Sequence, residues 1–107
     1  MIKDRIQQGW TQGKMSTTQS GAEVDPFSPL AERFCLLGAV WKEYRYPNED
    51  EALILMELFH ALTGETPRSN SSSLVAYTNR LVYWNDDPVR TKEEVLALLD
   101  KAIAERE

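Results

Sequence analysis

The chain has 107 residues, 42% of them apolar and 27% charged, a balance that suits one folded domain around a single core and excludes a disordered chain. Its net charge of −5, from 12 basic and 17 acidic residues, repels a phosphate backbone on average and argues against direct nucleic-acid binding, although Arg33, Lys42, Arg45, Arg68, Arg80, Arg90 and Lys92 lie on several elements able to converge. The one cysteine, Cys35, cannot close an intramolecular disulfide, no apolar run reaches membrane-spanning length, and Met1 to Gln8 lacks a leader's apolar centre; a cytoplasmic protein without membrane contact is expected.

Ile2 and Ile6, four residues apart, give Met1 to Gln8 one apolar face and a short helix ahead of Gly9 and Trp10. From Gly13 to Val24 the chain is polar, and Gln19-Ser20-Gly21 is able to turn a hairpin, without a clear apolar alternation on either side. Asp25-Pro26-Phe27-Ser28-Pro29 reads as a helix entry, with Ser28 as cap and Pro29 in the first helical position. The second helix is then expected from Pro29 to Tyr44, with Leu30, Phe34, Leu37 and Trp41 on one face. Cys35, Leu36, Ala39 and Val40 widen that face, which makes this helix central. Gly38 costs about 1 kcal/mol of helix propensity relative to Ala, a cost best explained by another backbone packed against Gly38-Ala39.

Tyr46-Pro47 stops that helix, and Asn48 with Glu51 three residues on has the form of a capping box for a third. It should run to Thr63, with Gly64 as its left-handed terminator and Leu53, Ile54, Leu55, Met56, Leu58 and Leu62 broadly buried. Glu65 to Ser73 is a polar loop whose last serines are able to cap a fourth helix from about Ser73, which ends near Asn85-Asp86-Asp87-Pro88. Thr91-Lys92-Glu93-Glu94 is the strongest local signal, a capping box opening a fifth helix. In that helix Val95, Leu98, Leu99, Ala102 and Ile103 face inward, while Lys92, Glu93, Asp100, Lys101 and Glu105 face water. The whole reads as a mainly α, compact bundle of four to five helices in one domain over residues 1–107, with an optional short N-terminal hairpin.

Three stretches stand out together: Gly9-Trp10-Thr11-Gln12-Gly13, then Phe34-Cys35-Leu36-Leu37-Gly38-Ala39, then Trp84-Asn85-Asp86 with Arg90-Thr91. In order and rough spacing they resemble a family of small bacterial and phage proteins known only as a domain of unknown function. The resemblance covers nearly the whole chain, and what it implies about function is little. The chain departs from the pattern in beginning eight residues before the Gly-Trp pair, and in carrying Asp87-Pro88-Val89 where the family more often has a glycine near position 89.

Chemistry is sparsely supplied. Cys35 and His60 are the nucleophile and base available for thiol catalysis, but with no third orienting group both read better as core residues of helices. Asn85, Asp86 and Asp87 cluster oxygens as a hard cation requires, yet their spacing fits no EF-hand, and turn hydrogen bonding with an Asp–Arg90 pair explains them. No metal or cofactor is expected. Trp41 belongs to the core, whereas Trp10 and Trp84 lie at element ends, where aromatic side chains make interface anchors. The candidate binding residues are therefore Trp10, Thr11, Gln12, Trp84, Asn85, Asp86 and Arg90, provided that the two motifs meet in space. The leading expectation is a non-catalytic protein-interaction module with a basic partner, by analogy a phage- or mobile-element-encoded inhibitor of a host defence or nucleic-acid-binding complex. The alternative is a small-ligand binder or enzyme with its pocket around Trp10, Trp84, Asp86 and Arg90. The broad apolar faces of helices two and three leave room for a homodimer.

Overall fold

A computed structural model of the chain describes residues 2–44 and 49–106. Their order is α1 (Ile2–Gln8), β1 (Ser16–Thr17), β2 (Arg33–Phe34), α2 (Leu36–Tyr44), α3 (Glu49–Thr63), α4 (Ser71–Asp86) and α5 (Lys92–Arg106). The mainly α bundle is therefore observed. α3 packs against both α4 and α5, and α1 bridges α2 and α5. The core runs from Ile6 through Phe34, Leu36 and Val40 to Leu58, Leu81 and Val95.

The local signals at helix ends largely hold. Gly64 follows α3 with φ +77°, and its N–H reaches back to the His60 carbonyl at 2.8 Å, as a left-handed terminator does. The Asn48 half of the expected capping box before α3 lies outside the described residues. α4 begins at Ser71, two residues earlier than expected. Its cap is Asn70, whose Oδ1 accepts from the Ser73 N–H at 2.8 Å, so the serines receive the cap instead of supplying it. The loop before it is pinned by the Arg68 N–H, which donates to the hydroxyl of Tyr77, itself stacked on Phe59.

At α5 the Thr91-to-Glu94 box closes in both directions: Glu94 N–H to Thr91 Oγ1 at 3.2 Å, and Thr91 N–H to Glu94 Oε1 at 3.0 Å. Thr91→Ala is expected to lower the thermal midpoint by about 4–8 °C and Thr91→Ser to leave it nearly unchanged. Equal midpoints for the two variants in a melting experiment would show that the box contributes nothing. Val95, Leu98, Leu99 and Ala102 are buried as the pattern requires, whereas Ile103 lies at the margin and is 37% exposed.

The second helix differs from its sequence reading. It starts at Leu36, and the residues before it are extended. The reason lies in where their backbone groups bond. The Glu32 N–H donates to the Thr17 carbonyl at 2.8 Å, Phe34 N–H to Gly9 at 2.9 Å and Cys35 N–H to Met15 at 3.1 Å, while the Phe34 carbonyl accepts from Thr11 N–H. With these groups committed to the N-terminal segment, none remains for a helical ladder. Ser28 does bond forward, but its Oγ meets the Leu30 N–H within a run of turns, and Leu30, assigned to the buried face, is 63% exposed. β1 pairs antiparallel with β2 in the register Ser16 to Phe34 and Thr17 to Arg33. The expected turn near Gln19-Ser20-Gly21 also forms, closed by Thr18 N–H to Ala22 and by an isolated Thr17–Glu23 bridge.

Candidate functional site

The two motifs meet, and Asn85 is where they meet. This last-turn residue of α4 is fully buried, and each hydrogen-bonding position of its amide is used. Oδ1 accepts from the Trp10 indole at 2.8 Å and from the backbone N–H of Leu36 at 3.1 Å. Nδ2 donates to the Thr11 carbonyl at 3.2 Å and to Asp86 Oδ1 at 3.0 Å. Around it Gln12 Nε2 bonds the carbonyls of Asn85 and Asp87 at 2.9 and 2.7 Å, and the Gly13 N–H reaches Asp86 Oδ1 at 3.0 Å. One side chain thus fastens the Gly9–Gly13 segment to the end of α4 and satisfies the first N–H of α2, which no helical carbonyl can reach.

Arg90 completes the cluster from the far side of the turn. Its guanidinium lies 4.2 Å over the Trp84 ring, donates from Nε to the Trp84 carbonyl at 2.9 Å, and pairs with Glu94 Oε2 at 2.9 Å, with Asp87 Oδ2 at 3.9 Å. The expected Asp–Arg pair across the turn is therefore Asp87 with Arg90, and Glu94 is the nearer carboxylate. Trp10, Thr11, Gln12, Trp84, Asn85, Asp86 and Arg90 are brought together as the motifs suggested, with their polar groups directed largely at one another. No group of three or more His, Cys, Asp or Glu side chains among the described residues is arranged to hold a metal.

Cys35 and His60 each bond a backbone group. Cys35 directly precedes α2, and its Sγ accepts from the Gly38 N–H at 3.2 Å, the bond an N-capping side chain makes. Burial is the main cause that pushes the thiol up to about 11, which keeps the nucleophilic thiolate scarce at neutral pH. The His60 ring meets the Glu65 carbonyl, with Nδ1 at 2.9 Å.

A feature that the sequence did not single out is an open cleft of about 700 Å³ between α3 and α4, with Trp41 of α2 at one side. Ala52, Leu55, Leu74 and Val75 supply apolar wall, and Val75 is 61% exposed. Ser71, Thr78 and Asn79 are neutral, and the charged lining residues, Glu49 and Glu51, are both acidic. Glu51 is only 6% exposed, and burial pushes its carboxyl up against the opposing pull of the Trp41 indole. Leu55 and Leu74 read in sequence as ordinary core positions. Leu55 is a core residue, 3% exposed, and Leu74 is half-buried; that a cleft borders them is a tertiary property without a local sequence signal.

A family model described as a family of unknown function, DUF6197, matches residues 2–105. The chain belongs to that family. The match takes in both the Asn85 clasp and the cleft. No curated protein and no solved structure gives a significant match. No helix among the described residues is long and apolar enough to cross a membrane.

Proposed function

We propose that the protein is a non-catalytic interaction module that receives a basic, partly apolar segment of another protein in the cleft between α3 and α4. The observation that carries this reading is the cleft itself, with apolar walls and with carboxylates as its charged lining residues. A cationic, amphipathic segment is complementary to such a surface, and the chain's net charge of −5 steers it there. The buried, cap-forming thiol supports a role without covalent chemistry. Basic segments abound in nucleic-acid-binding assemblies, so inhibition of such a complex, in a bacterial or phage setting and in the cytoplasm, belongs to the same proposal.

The test is capture from nuclease-treated lysate by the full chain and by Val75→Lys, which places a cation on an exposed wall position without disturbing the core. Capture by the wild type should weaken as salt rises and be lost in the variant. A partner retained equally by Val75→Lys, at every salt concentration, would place the interaction elsewhere and overturn the proposal.

A further inference from the structure

We infer that the cleft selects its partner through one lysine or arginine, whose cation pairs with Glu51 while its aliphatic stem lies along the apolar wall. The inference rests on the docking reading above and adds the chemistry of the anchor. Glu51 belongs to the first turn of α3, where the helix dipole favours a carboxylate, and the Trp41 indole favours its charged form too. Even so the balance at Glu51 runs against ionisation, because the residue keeps only 6% of its surface exposed while it lines an open cleft. Among the described residues that line the cleft none is a cation, and Ser71, Thr78 and Asn79 are neutral. A lysine or arginine supplies what is lacking. Its stem matches Leu74 and Val75, and its head reaches the carboxylate, the division of labour that long basic side chains favour.

A competing role for Glu51 is local, as the third residue of a capping box that reaches back to a backbone N–H. Glutamine preserves that bond and removes the charge, so Glu51→Gln separates the two. The anchor reading expects the variant to be at least as thermally stable as the wild type at neutral pH, because a charge that burial disfavours is gone. A cap that depends on the charge expects a lower midpoint.

The experiment selects short random peptides displayed against the immobilised full chain, and keeps those whose binding Val75→Lys abolishes. Retained peptides should carry a lysine or arginine beside apolar residues. Replacing that residue by norleucine should weaken binding to the wild type by about tenfold and leave binding to Glu51→Gln unchanged. The basic peptides should also lose affinity as pH falls through the Glu51 titration, which burial raises. Glu49 is the other titratable group lining the cleft, and the lining residues from α2 and α4 do not titrate as acids in that range. Retained peptides indifferent to norleucine, or equally lysine-dependent on Glu51→Gln, would leave the docking site standing and overturn the anchor. Failure to recover any peptide sensitive to Val75→Lys would overturn both.

Discussion

Asn85→Ala should cost the fold about 3–5 kcal/mol, a loss visible as a large fall in the urea midpoint. The estimate follows from what the truncation strands. The Trp10 indole N–H and the Leu36 backbone N–H lose one shared acceptor, and the Thr11 carbonyl loses its donor, around a side chain that is itself fully buried. Each buried group left without a partner costs about 1–3 kcal/mol. Asn85→Asp sharpens the test. It keeps an acceptor for Trp10 and Leu36 but turns the donating nitrogen into an oxygen that faces the Thr11 carbonyl and the Asp86 carboxylate. The new carboxyl would be buried beside a like charge, so its folded-state pKa should lie above the unfolded value. Its protonated form then favours the fold, and the variant should recover stability as pH falls and lose it as pH rises through the folded pKa. A cost below about 1 kcal/mol for Asn85→Ala would mean that the clasp holds little, and that the Trp10, Gln12 and Asp86 groups around it are available to a ligand.

The clasp also shows what was legible in the sequence. Trp10, Gln12, Trp84, Asn85 and Arg90 stand out by residue type and position, since aromatic and amide side chains at element ends must find partners. Their convergence could be stated only as a condition. Residue type does not tell whether an amide bonds outward to a ligand or inward to its own fold; that depends on which backbone groups come within about 3 Å of it. The helices were readable where periodicity and capping agree, as at Thr91-to-Glu94 and Gly64. They were misread where they disagreed with tertiary pairing, as at Ser28-Pro29. There a sound local entry signal lost to four long-range hydrogen bonds that hold residues 32–35 extended against the N-terminal segment. The cleft was invisible for a similar reason, because Leu74 carries the same apolar signature whether a neighbour covers it or open space lies beside it.

Gly38→Ala should destabilise the protein by about 2–3 kcal/mol or more, although helix propensity alone predicts a gain of about 1 kcal/mol in the middle of a helix. The opposite signs make the experiment decisive. A Cβ placed on Gly38 would fall 1.9 Å from the Met15 carbonyl oxygen and 2.9 Å from its carbon, and both are backbone atoms that cannot rotate aside. To make room, the segment carrying Met15 has to withdraw from α2. That same carbonyl accepts the Cys35 N–H at 3.1 Å, and the next residue, Ser16, pairs with Phe34. Withdrawal therefore loosens the β1–β2 pairing and the start of α2 together, and through Leu36 it reaches the Asn85 clasp. Hydrogen exchange should report this pattern, with protection lost at Cys35, Phe34 and Leu36 before the α3–α5 contact opens. Stabilisation by alanine, or a uniform loss of protection over the whole chain, would show that the close approach of α2 to Met15 does not organise this end of the fold.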